Sequence, residues 1–389
     1  MINLTRLYFG QPSVEKWTGG FRRSRSRLFG SPLIVWSPTR RCNYSCARCL
    51  SGSEDQVFAG ELSTRDALGL LDGLGEAGVT HLRLWGGEPL ARPDLDILIR
   101  RAVELGIRVG VDSNGALLTP ERAQALREAG AASVSVRLEG RKALHDARRG
   151  VPGAFEAALH GIRAAKKAGL EVAIRFGLDP DSAQELNWVF EVADREGVQR
   201  IRFCHPVYGG RGWSPEGPRL SPEETRVLLI QILHKARELL SRGRSIEVLT
   251  DNQPADGPYL MLKLAKNHPD RAGEIGDWLC EHGPARAGVE MAYIDPAGNV
   301  HPDPYWRSPL GNAVREPFSR IWEDGNNRVL QFLRDGSVFL KGRCAACAFL
   351  RECGGGLRSR ALALRGDPMD EDPECYLSDE EIRWGLVGA

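Results

Sequence analysis

Three cysteines fall within eight residues near the start of the chain. Cys42, Cys46 and Cys49 stand in the stretch RCNYSCARCL, which spans residues 41–50. Cysteine thiolates bind iron–sulfur clusters, and three of them on one loop can hold three irons of a cubane cluster. The fourth iron is then open to an exogenous ligand. A zinc ion would instead need a fourth ligand from a distant His or Cys, because closed zinc sites are tetrahedral.

A second group of cysteines lies near the C-terminus and has four members, Cys344, Cys347, Cys353 and Cys375. Four thiolates close a metal site without further ligands, so an iron–sulfur cluster and a zinc ribbon are the two alternatives. The total of nine cysteines is odd, which suits a disulfide framework poorly. We therefore predict metal-binding cysteines in a reducing compartment, with Cys204 and Cys280 standing alone.

The composition argues against several classes of function. Lys plus Arg (52) nearly equals Asp plus Glu (51), so the formal net charge is +1 and no nucleic-acid partner is expected. No apolar run approaches the roughly 18 residues of a membrane helix. The N-terminal residues lack the basic-then-apolar plan of a signal peptide. We expect a soluble, cytoplasmic protein with no membrane partner.

The elements that must position the cysteines alternate regularly. From about residue 33 to residue 206, short apolar strands alternate with amphipathic helices in six units. Such alternation predicts an α/β fold with a parallel sheet and right-handed crossovers. Six units favour an open, TIM-like (β/α)6 partial barrel over a closed eight-stranded barrel. Catalytic residues of such barrels lie at the C-terminal ends of the strands. The cysteine loop and the stretches GGEP, SNG and HPVYGGRG each follow a predicted strand.

We predict four parts in the chain. Residues 1–30 form an irregular N-terminal arm with the basic stretch FRRSRSR, and residues 31–220 form the partial barrel. Residues 221–285 form a helical linker that begins with a capping box. Residues 286–389 form a loop-rich extension with a hairpin at 289–302. Such a segment can hardly form an apolar core of its own, so we expect a metal cluster to stabilise its fold.

The first cysteine group and two later motifs resemble the signature of radical S-adenosylmethionine (SAM) enzymes. The cysteine spacing is followed by GGEPL (residues 86–90) and DSNG (residues 112–115). The resemblance implies a 4Fe–4S cluster whose open iron binds SAM, and cleavage of SAM to a 5′-deoxyadenosyl radical. It also implies SAM contacts from Gly86, Gly87, Glu88, Pro89, Ser113 and Asn114. The glycines let backbone approach the ligand closely.

The C-terminal cysteines resemble those of the SPASM extension, in which these positions bind an auxiliary 4Fe–4S cluster. Full SPASM domains carry a second auxiliary cluster. Asp303 and Leu357 stand where two of its cysteines would be, and Cys280 lacks companions. We therefore expect one auxiliary cluster, held by Cys344, Cys347, Cys353 and Cys375, and a free or remnant Cys280.

Several stretches, including RFCHPVYGGRG at residues 202–212, resemble the NirJ-type enzymes of heme d1 biosynthesis and the AhbC and AhbD enzymes of alternative heme biosynthesis. That family removes or modifies propionate and acetate side chains of siroheme-derived iron tetrapyrroles, beginning with hydrogen abstraction. The resemblance implies a tetrapyrrole substrate and a reducing partner such as flavodoxin or ferredoxin. We expect the substrate to contact His205, Tyr208 and Arg211, because a substrate with several carboxylates binds to cationic and hydrogen-bonding groups. His205 could instead ligate the tetrapyrrole iron.

The chain departs from the family pattern around the expected SAM pocket. Strand four ends in Arg137-Leu138-Glu139-Gly140, where Ser-Leu-Asp-Gly is usual, and strand five carries Gly177 in place of a usual Thr. Arg175 fits the residue that pairs with the SAM carboxylate. Arg48 occupies a place that often flanks the adenine, and its guanidinium could stack there. Arg137 could retune contacts near the SAM ribose or reach a substrate carboxylate.

Two other functions remain open from the sequence. A SPASM maturase would modify a ribosomal peptide, but such enzymes usually carry an N-terminal peptide-recognition domain, and only about 30 residues precede this barrel. A non-enzymatic carrier would use the clusters for electron transfer or hold a tetrapyrrole. The intact cysteine loop and GGEP motif argue against a carrier.

Overall fold

One eleven-stranded sheet runs through the described part of the chain. The structure, a computed structural model, describes residues 1–10, 31–283, 286–335 and 339–384. The strands are β1 (Ile2–Asn3), β2 (Leu33–Trp36), β3 (His81–Leu84), β4 (Arg108–Ser113), β5 (Ser133–Leu138), β6 (Glu171–Gly177), β7 (Arg200–Cys204), β8 (Glu247–Asp251), β9 (Met291–Ile294), β10 (Asn299–His301) and β11 (Gly311–Asn312). Their spatial order is β1-β8-β7-β6-β5-β4-β3-β2-β9-β10-β11.

The helices cover the sheet and fill its crossovers. They are α1 (Leu4–Phe9), α2 (Thr64–Glu76), α3 (Leu95–Glu104), α4 (Pro120–Glu128), α5 (Lys142–Arg149), α6 (Ala154–Lys167), α7 (Pro180–Ala183), α8 (Leu186–Glu196), α9 (Pro222–Ser241), α10 (Asp256–Ala265), α11 (Pro269–His282), α12 (Phe318–Trp322), α13 (Arg328–Asp335), α14 (Gly342–Ala345), α15 (Leu350–Cys353), α16 (Arg358–Arg365) and α17 (Asp379–Trp384). No helix of the described residues has the length and apolar character needed to cross a membrane.

The predicted partial barrel is confirmed. Strands β2 to β7 pair in parallel, each with the next along the chain, and helices occupy the crossovers between them. The sheet stays open, because β1 and β11 lie at its two ends. Strands buried on both faces read as continuous apolar runs, and all four residues of β2 are buried.

Two further parallel strands flank the predicted six. Strand β8 pairs with β7, with Cys204 opposite Asp251. It lies within residues 221–285, the predicted linker, where the stretch IEVLTD at residues 246–251 indicates a strand. Strand β9 pairs with β2 on the other side, with Leu33 opposite Met291. The predicted hairpin at 289–302 is confirmed, because β9 and β10 pair antiparallel. The extension and the barrel therefore share one sheet rather than meeting as separate layers.

The expectation of an irregular N-terminal arm is wrong for its first residues. Ile2 and Asn3 pair antiparallel with β8, and helix α1 follows at once. Asn3 caps this helix by accepting a hydrogen bond from the Arg6 backbone N–H (3.0 Å), and Leu4 is fully buried. The basic stretch FRRSRSR (residues 21–27) lies outside the described residues. The sequence pattern missed β1 because two residues are too few to show an alternation.

Local capping explains where two predicted helices begin. The Ser63 hydroxyl accepts from the Asp66 N–H (3.2 Å) at the start of α2. At α9, the Ser221 hydroxyl accepts from the Glu224 N–H (3.1 Å), and the Glu224 carboxylate accepts from the Ser221 N–H (2.7 Å). This is the predicted capping box, and it satisfies two backbone donors at once.

Helix α5 is tied to the end of β5 by a buried histidine. The Nδ1 atom of His145 accepts a hydrogen bond from the Glu139 N–H (3.2 Å), and no part of the side chain is exposed. Burial, assisted by the charge of Arg149, lowers the pKa of His145 to about 4. The imidazole is therefore neutral in the folded protein at neutral pH.

This neutral histidine predicts a pH-dependent stability. An unfolded histidine titrates near 6.5, so below that pH the unfolded chain takes up a proton that folded His145 does not. The free energy of unfolding should fall by about 1.4 kcal/mol between pH 7.5 and 5.5 from this residue alone. His145→Asn, whose amide oxygen can still accept from Glu139, should lack that contribution. Anaerobic urea unfolding at both pH values measures it, and an equal fall in both proteins would contradict the assignment.

Candidate active site

The first cysteine group lines a cavity at the C-terminal ends of the strands. Each sulfur accepts a hydrogen bond from an N–H donor: Cys42 from the Tyr44 backbone (3.4 Å), Cys46 from the Arg149 guanidinium (3.6 Å) and Cys49 from the Ser53 backbone (3.3 Å). Donors aimed at sulfur stabilise thiolates and thiolate-bound clusters. The donor set therefore fits an iron–sulfur cluster held by three cysteines.

The thiols of Cys42 and Cys49 differ in their surroundings. Burial raises the pKa of Cys42 to about 12. Burial also opposes ionisation of Cys49, but hydrogen bonds from Ser53 and Ser51 outweigh it and lower the pKa of that thiol. Cys49 is therefore the thiol of this pair that is easier to ionise.

The GGEP loop packs directly on the backbone before Cys42. A Cβ atom on Gly86, whose φ is +125°, would lie 1.8 Å from the Ser37 hydroxyl, and one on Gly87 would lie 2.3 Å from the Arg41 carbonyl oxygen. The Glu88 N–H also donates to the Arg41 carbonyl (2.8 Å). Only glycine allows this approach, so the loops after β2 and β3 are held in one arrangement.

The Glu88 carboxylate links the motifs to one another. It is 1% exposed and accepts hydrogen bonds from the Ser113 hydroxyl (2.9 Å) and the Asn114 N–H (2.8 Å). The Asn114 amide in turn donates to Asn43 (2.8 Å) and lies 3.7 Å from the Cys42 sulfur. Burial raises the pKa of Glu88 to about 6. One carboxylate thus ties the end of β4 to the cysteine loop.

A cavity of about 350 Å³ brings most of the predicted residues together. Its lining includes Cys42, Cys46, Cys49, Arg48, Gly86, Gly87, Glu88, Ser113, Asn114, Arg137, Arg175, His205, Tyr208 and Arg211. Pro89 does not line it and instead begins a 3₁₀ turn over Pro89–Ala91. The sequence reading missed several lining residues, namely Arg149, Trp213, Arg219, Asn252 and Tyr305. Arg149 could have been found from the sequence, because it lies in a basic last helical turn directly before Gly150.

Two departures from the family pattern compensate for each other. A Cβ atom on Gly177 would lie 2.4 Å from Nη2 of Arg137, so the missing side chain on β6 makes room for the guanidinium from β5. Arg137 donates to the Glu139 carboxylate through Nε (3.1 Å). Burial favours the neutral form of Glu139. The charges of Arg137, Arg149 and Arg148, in decreasing order of effect, outweigh burial and lower the pKa of Glu139 to about 2. Arg137 and Glu139 therefore place one cation and one anion side by side in the cavity wall.

The other two predicted cofactor-contacting arginines pair with aspartates. Nη1 of Arg175 donates to Asp112 (2.9 Å) across the barrel interior. Nη1 of Arg48 donates to Asp179 (3.1 Å), with the Arg48 side chain half exposed at the cavity rim. The predicted stacking of Arg48 on an adenine would require this rim contact to open or to sit beside the base.

His205 borders the cavity, and its ring faces a buried carboxylate. Its side chain is 3% exposed, and Nε2 lies 3.2 Å from the carboxylate of fully buried Asp256. The Tyr376 hydroxyl donates to the other oxygen of Asp256 (2.7 Å). The carboxylate therefore holds the imidazole in place, and the contact of His205 with substrate or with a tetrapyrrole iron stays a prediction.

Tyr208 and Arg211 line the cavity and also hold its loops in place. The Tyr208 hydroxyl bonds to Glu374 and accepts from Arg219 (3.2 Å), and its ring stacks on Trp213. Arg211 donates to four acceptors of the cysteine loop, which are Ser45 Oγ, Cys46 O, Ser53 O and Glu54 Oε1. Both therefore hold loops in position around the cavity, and their direct contacts with substrate stay a prediction.

The second cysteine group lines a separate cavity. Cys344, Cys347, Cys353 and Cys375 all border it, whereas Cys280, on α11, lines neither cysteine cavity. Three glycines after Cys353 have φ between +67° and +83°, and a Cβ on Gly356 would lie 2.2 Å from Asp372. This glycine turn folds the chain tightly over the cavity. No three His, Cys, Asp or Glu side chains in the described ranges are arranged as a single-ion site.

The two cysteine sites are connected through the neighbours of Cys375. Glu374 bonds to Tyr208, and Tyr376 bonds to Asp256, which faces His205. Nearby, fully buried Arg360 pairs with Asp372 (2.7 Å) and donates to the Pro206 carbonyl (3.1 Å). The segment that carries the fourth C-terminal cysteine therefore fixes the loop after β7, which borders the first site.

Known proteins share this architecture and sequence. Residues 36–192 match the Radical SAM superfamily model. The chain is 36% identical to Fe-coproporphyrin III synthase of Methanosarcina barkeri (strain Fusaro / DSM 804), over 98% of this chain and 99% of that protein. It is 38% identical to pre-heme d1 synthase of Dinoroseobacter shibae (strain DSM 16493 / NCIMB 14021 / DFL 12), over 90% and 87% respectively. Streptococcus suis SuiB bound to S-adenosylmethionine shares the fold, with a TM-score of 0.70, 16% identity, and coverage of 90% of this chain and 78% of that one.

The fold and the first cysteine site define a radical SAM enzyme, whose cofactors are a 4Fe–4S cluster and SAM. The chain belongs to the radical SAM superfamily and, within it, to the group of synthases of heme d1 and alternative heme biosynthesis. The resemblance noted in the motifs is thereby confirmed.

The Arg137–Gly177 pair predicts a coupled effect of mutation. Gly177→Ala should displace the Arg137 guanidinium and weaken SAM binding roughly fivefold, because residues in contact couple energetically. In an Arg137→Ser background, the same change should leave the SAM dissociation constant unchanged. Gly73→Ala, where a Cβ meets nothing within 4 Å, is the control. Calorimetric titration with SAM of the unchanged enzyme, the two single variants, the double variant and the control measures the coupling, and equal effects of Gly177→Ala in both backgrounds would contradict it.

Proposed function

We propose that this enzyme removes or modifies a carboxyalkyl side chain, propionate or acetate, of a siroheme-derived iron tetrapyrrole. The observation that carries the proposal is one cavity that combines the three-cysteine loop and the SAM motifs with several arginines. Cationic guanidiniums suit a substrate with several carboxylates. The two relatives named above are an Fe-coproporphyrin III synthase and a pre-heme d1 synthase.

The residues of the first site fit defined roles. Cys42, Cys46 and Cys49 would hold three irons, and the open iron would take the amino and carboxylate groups of SAM. The chemistry that such a cluster would supply, once reduced, is the one electron needed to cleave SAM to methionine and a 5′-deoxyadenosyl radical. Glu88, Ser113 and Asn114 stand beside the cysteine loop where the methionine amino group would lie. Arg175 faces the cavity as a carboxylate partner, and its bond to Asp112 orients it.

The C-terminal cysteines would hold one auxiliary 4Fe–4S cluster. All four thiols border one cavity, and the burial that raises the pKa of Cys375 to about 11 describes an apolar setting suited to a closed cluster. Asp303 and Leu357 provide no thiolate for a further cluster. A low-potential partner such as flavodoxin or ferredoxin would supply electrons in the cytoplasm.

Iron content tests the number of clusters. The anaerobically reconstituted chain should bind about eight irons if each site holds a 4Fe–4S cluster. Cys375→Ala should lower this to about four, whereas Cys280→Ala should keep about eight. Iron and sulfide assays with Mössbauer spectroscopy measure the content. Twelve irons, or no loss in Cys375→Ala, would contradict a single auxiliary cluster held by these residues.

Turnover tests the substrate class. With SAM and a reductant, anaerobic enzyme should convert didecarboxysiroheme to a product of lower mass, as mass spectrometry would show, and should form 5′-deoxyadenosine. Cys42→Ala should abolish both, because the first cluster loses a ligand, and Cys280→Ala should retain both.

A peptide-modifying function is the alternative, and it is less supported because the relatives of high identity are heme-biosynthesis synthases. SAM cleavage that leaves every tetrapyrrole unchanged, combined with modification of a ribosomal peptide, would replace the tetrapyrrole proposal with that alternative. Full 5′-deoxyadenosine formation by Cys42→Ala would overturn the radical mechanism itself.

A further inference from the structure

A second cavity of about 100 Å³ lies inside the barrel, beside the active-site cavity. Five residues border both spaces: Trp85, Asp112, Arg175, Asn252 and Tyr305. We call this second space the inner cavity. Asp303 and Leu357 also line it. The two cavities are therefore neighbours, and these shared residues form the boundary between them.

The charged side chains that line the inner cavity are Arg83, Arg175, Arg202, Asp112, Asp251 and Asp303. Met1 lines it as well, and burial lowers the pKa of its amino terminus, which lies near Asp251. Arg83, Arg175 and Arg202 surround Asp112 at 3.7, 2.9 and 3.7 Å, and Asp251 pairs with Arg202 at 2.6 Å. Burial raises the pKa of Asp303, which favours its neutral form. The three guanidiniums then face two ionised carboxylates, so this part of the lining has room for one more anion.

Arg202 carries the clearest sign of a missing partner. Its side chain is 5% exposed, and Nη2 donates to Asp251 (2.6 Å). Nε and Nη1 have no hydrogen-bond partner within the described residues. The hydroxyl of Thr250, which is 1% exposed, also lacks a partner there and lines the same cavity. Buried donors left without an acceptor are costly, so their clustering points to a ligand with oxygen acceptors.

We propose that the inner cavity is a subsite for one carboxylate-bearing side chain of the substrate, with Arg202 as its cationic partner and the Thr250 hydroxyl as a second donor. This proposal rests on the proposed function and adds to it. Anchoring one side chain in the inner cavity fixes the rotation of the tetrapyrrole ring. Arg202 thereby determines which other side chain faces the SAM site, and it acts as a specificity-determining residue.

The subsite is distinct from the expected partner of the SAM carboxylate. Arg175 borders both cavities, whereas Arg202 and Thr250 border the inner cavity alone. Loss of Arg202 should therefore weaken binding of the tetrapyrrole and leave SAM binding nearly unchanged.

The test compares binding of iron coproporphyrin III with binding of its tetramethyl ester, in the same mild detergent, by Soret absorbance titration of the reconstituted enzyme. Arg202→Met should weaken binding of the tetra-acid about 10- to 100-fold, because a hydrogen bond to a charged partner is lost. Arg202→Lys should recover part of the affinity, and Thr250→Val should weaken binding a few fold. The ester should bind all variants similarly and less tightly than the acid binds the unchanged enzyme.

Arg200→Met is the matched control. Arg200 lies two residues away on β7, is equally buried, pairs with Glu247 (2.6 Å) and borders neither cavity. It should change tetrapyrrole affinity less than twofold. Circular dichroism and iron content verify that each variant is folded and loaded, and Thr250→Val preserves the test if Arg202→Met does not fold.

The outcomes separate the two proposals. If the unchanged enzyme binds the tetra-acid but Arg202→Met and Thr250→Val bind it equally well, the inner cavity holds only water and the subsite is overturned. If Arg202→Met weakens SAM binding instead, the cavity serves the cofactor and the subsite is again overturned. If the unchanged enzyme binds no tetrapyrrole while it still cleaves SAM, the proposed function fails and the subsite fails with it.

Discussion

The buried Glu88 carboxylate is the interaction on which the first site depends. The carboxylate accepts hydrogen bonds from Ser113 and Asn114 at the end of β4. The backbone N–H of Glu88 donates to the carbonyl of Arg41, directly before Cys42. Three loops that are distant in sequence are thereby held against one another. Gly86 and Gly87 allow this contact because their missing side chains leave the space that Ser37 and Arg41 occupy. A three-cysteine loop needs such external support, since a closed four-ligand site fixes its own geometry but an open one does not.

The same logic extends from the first site to the C-terminal extension. The residues on both sides of Cys375 reach toward the loop after β7, through Tyr208 on one side and through Asp256 on the other. Arg360 adds a buried link to the backbone of that loop. Tyr305 of the extension lines the first cavity, so the folding of the extension around the second cysteine group shapes that cavity.

The motifs of the first site could be predicted from the sequence, but the residues that contact them could not. The cysteine loop, GGEP and SNG could be placed together because parallel strands bring their C-terminal ends to one edge of the sheet. The partners of His205, Tyr208 and Arg211 could not be predicted, since Asp256, Glu374 and the cysteine loop are brought to them only by the fold. For the same reason the pairing of β8 and β9 with the barrel was missed. The compensation between Arg137 and Gly177 also appears only when β5 and β6 lie side by side.

The central claim is that this chain abstracts hydrogen from a carboxyalkyl side chain of an iron tetrapyrrole. Deuterium transfer tests it most directly. The substrate is didecarboxysiroheme with deuterium on its acetate and propionate carbons, and the readout is the mass of the 5′-deoxyadenosine formed during turnover. The account predicts 5′-deoxyadenosine enriched in deuterium in step with formation of the modified tetrapyrrole. Modified tetrapyrrole accompanied by 5′-deoxyadenosine without deuterium would contradict it.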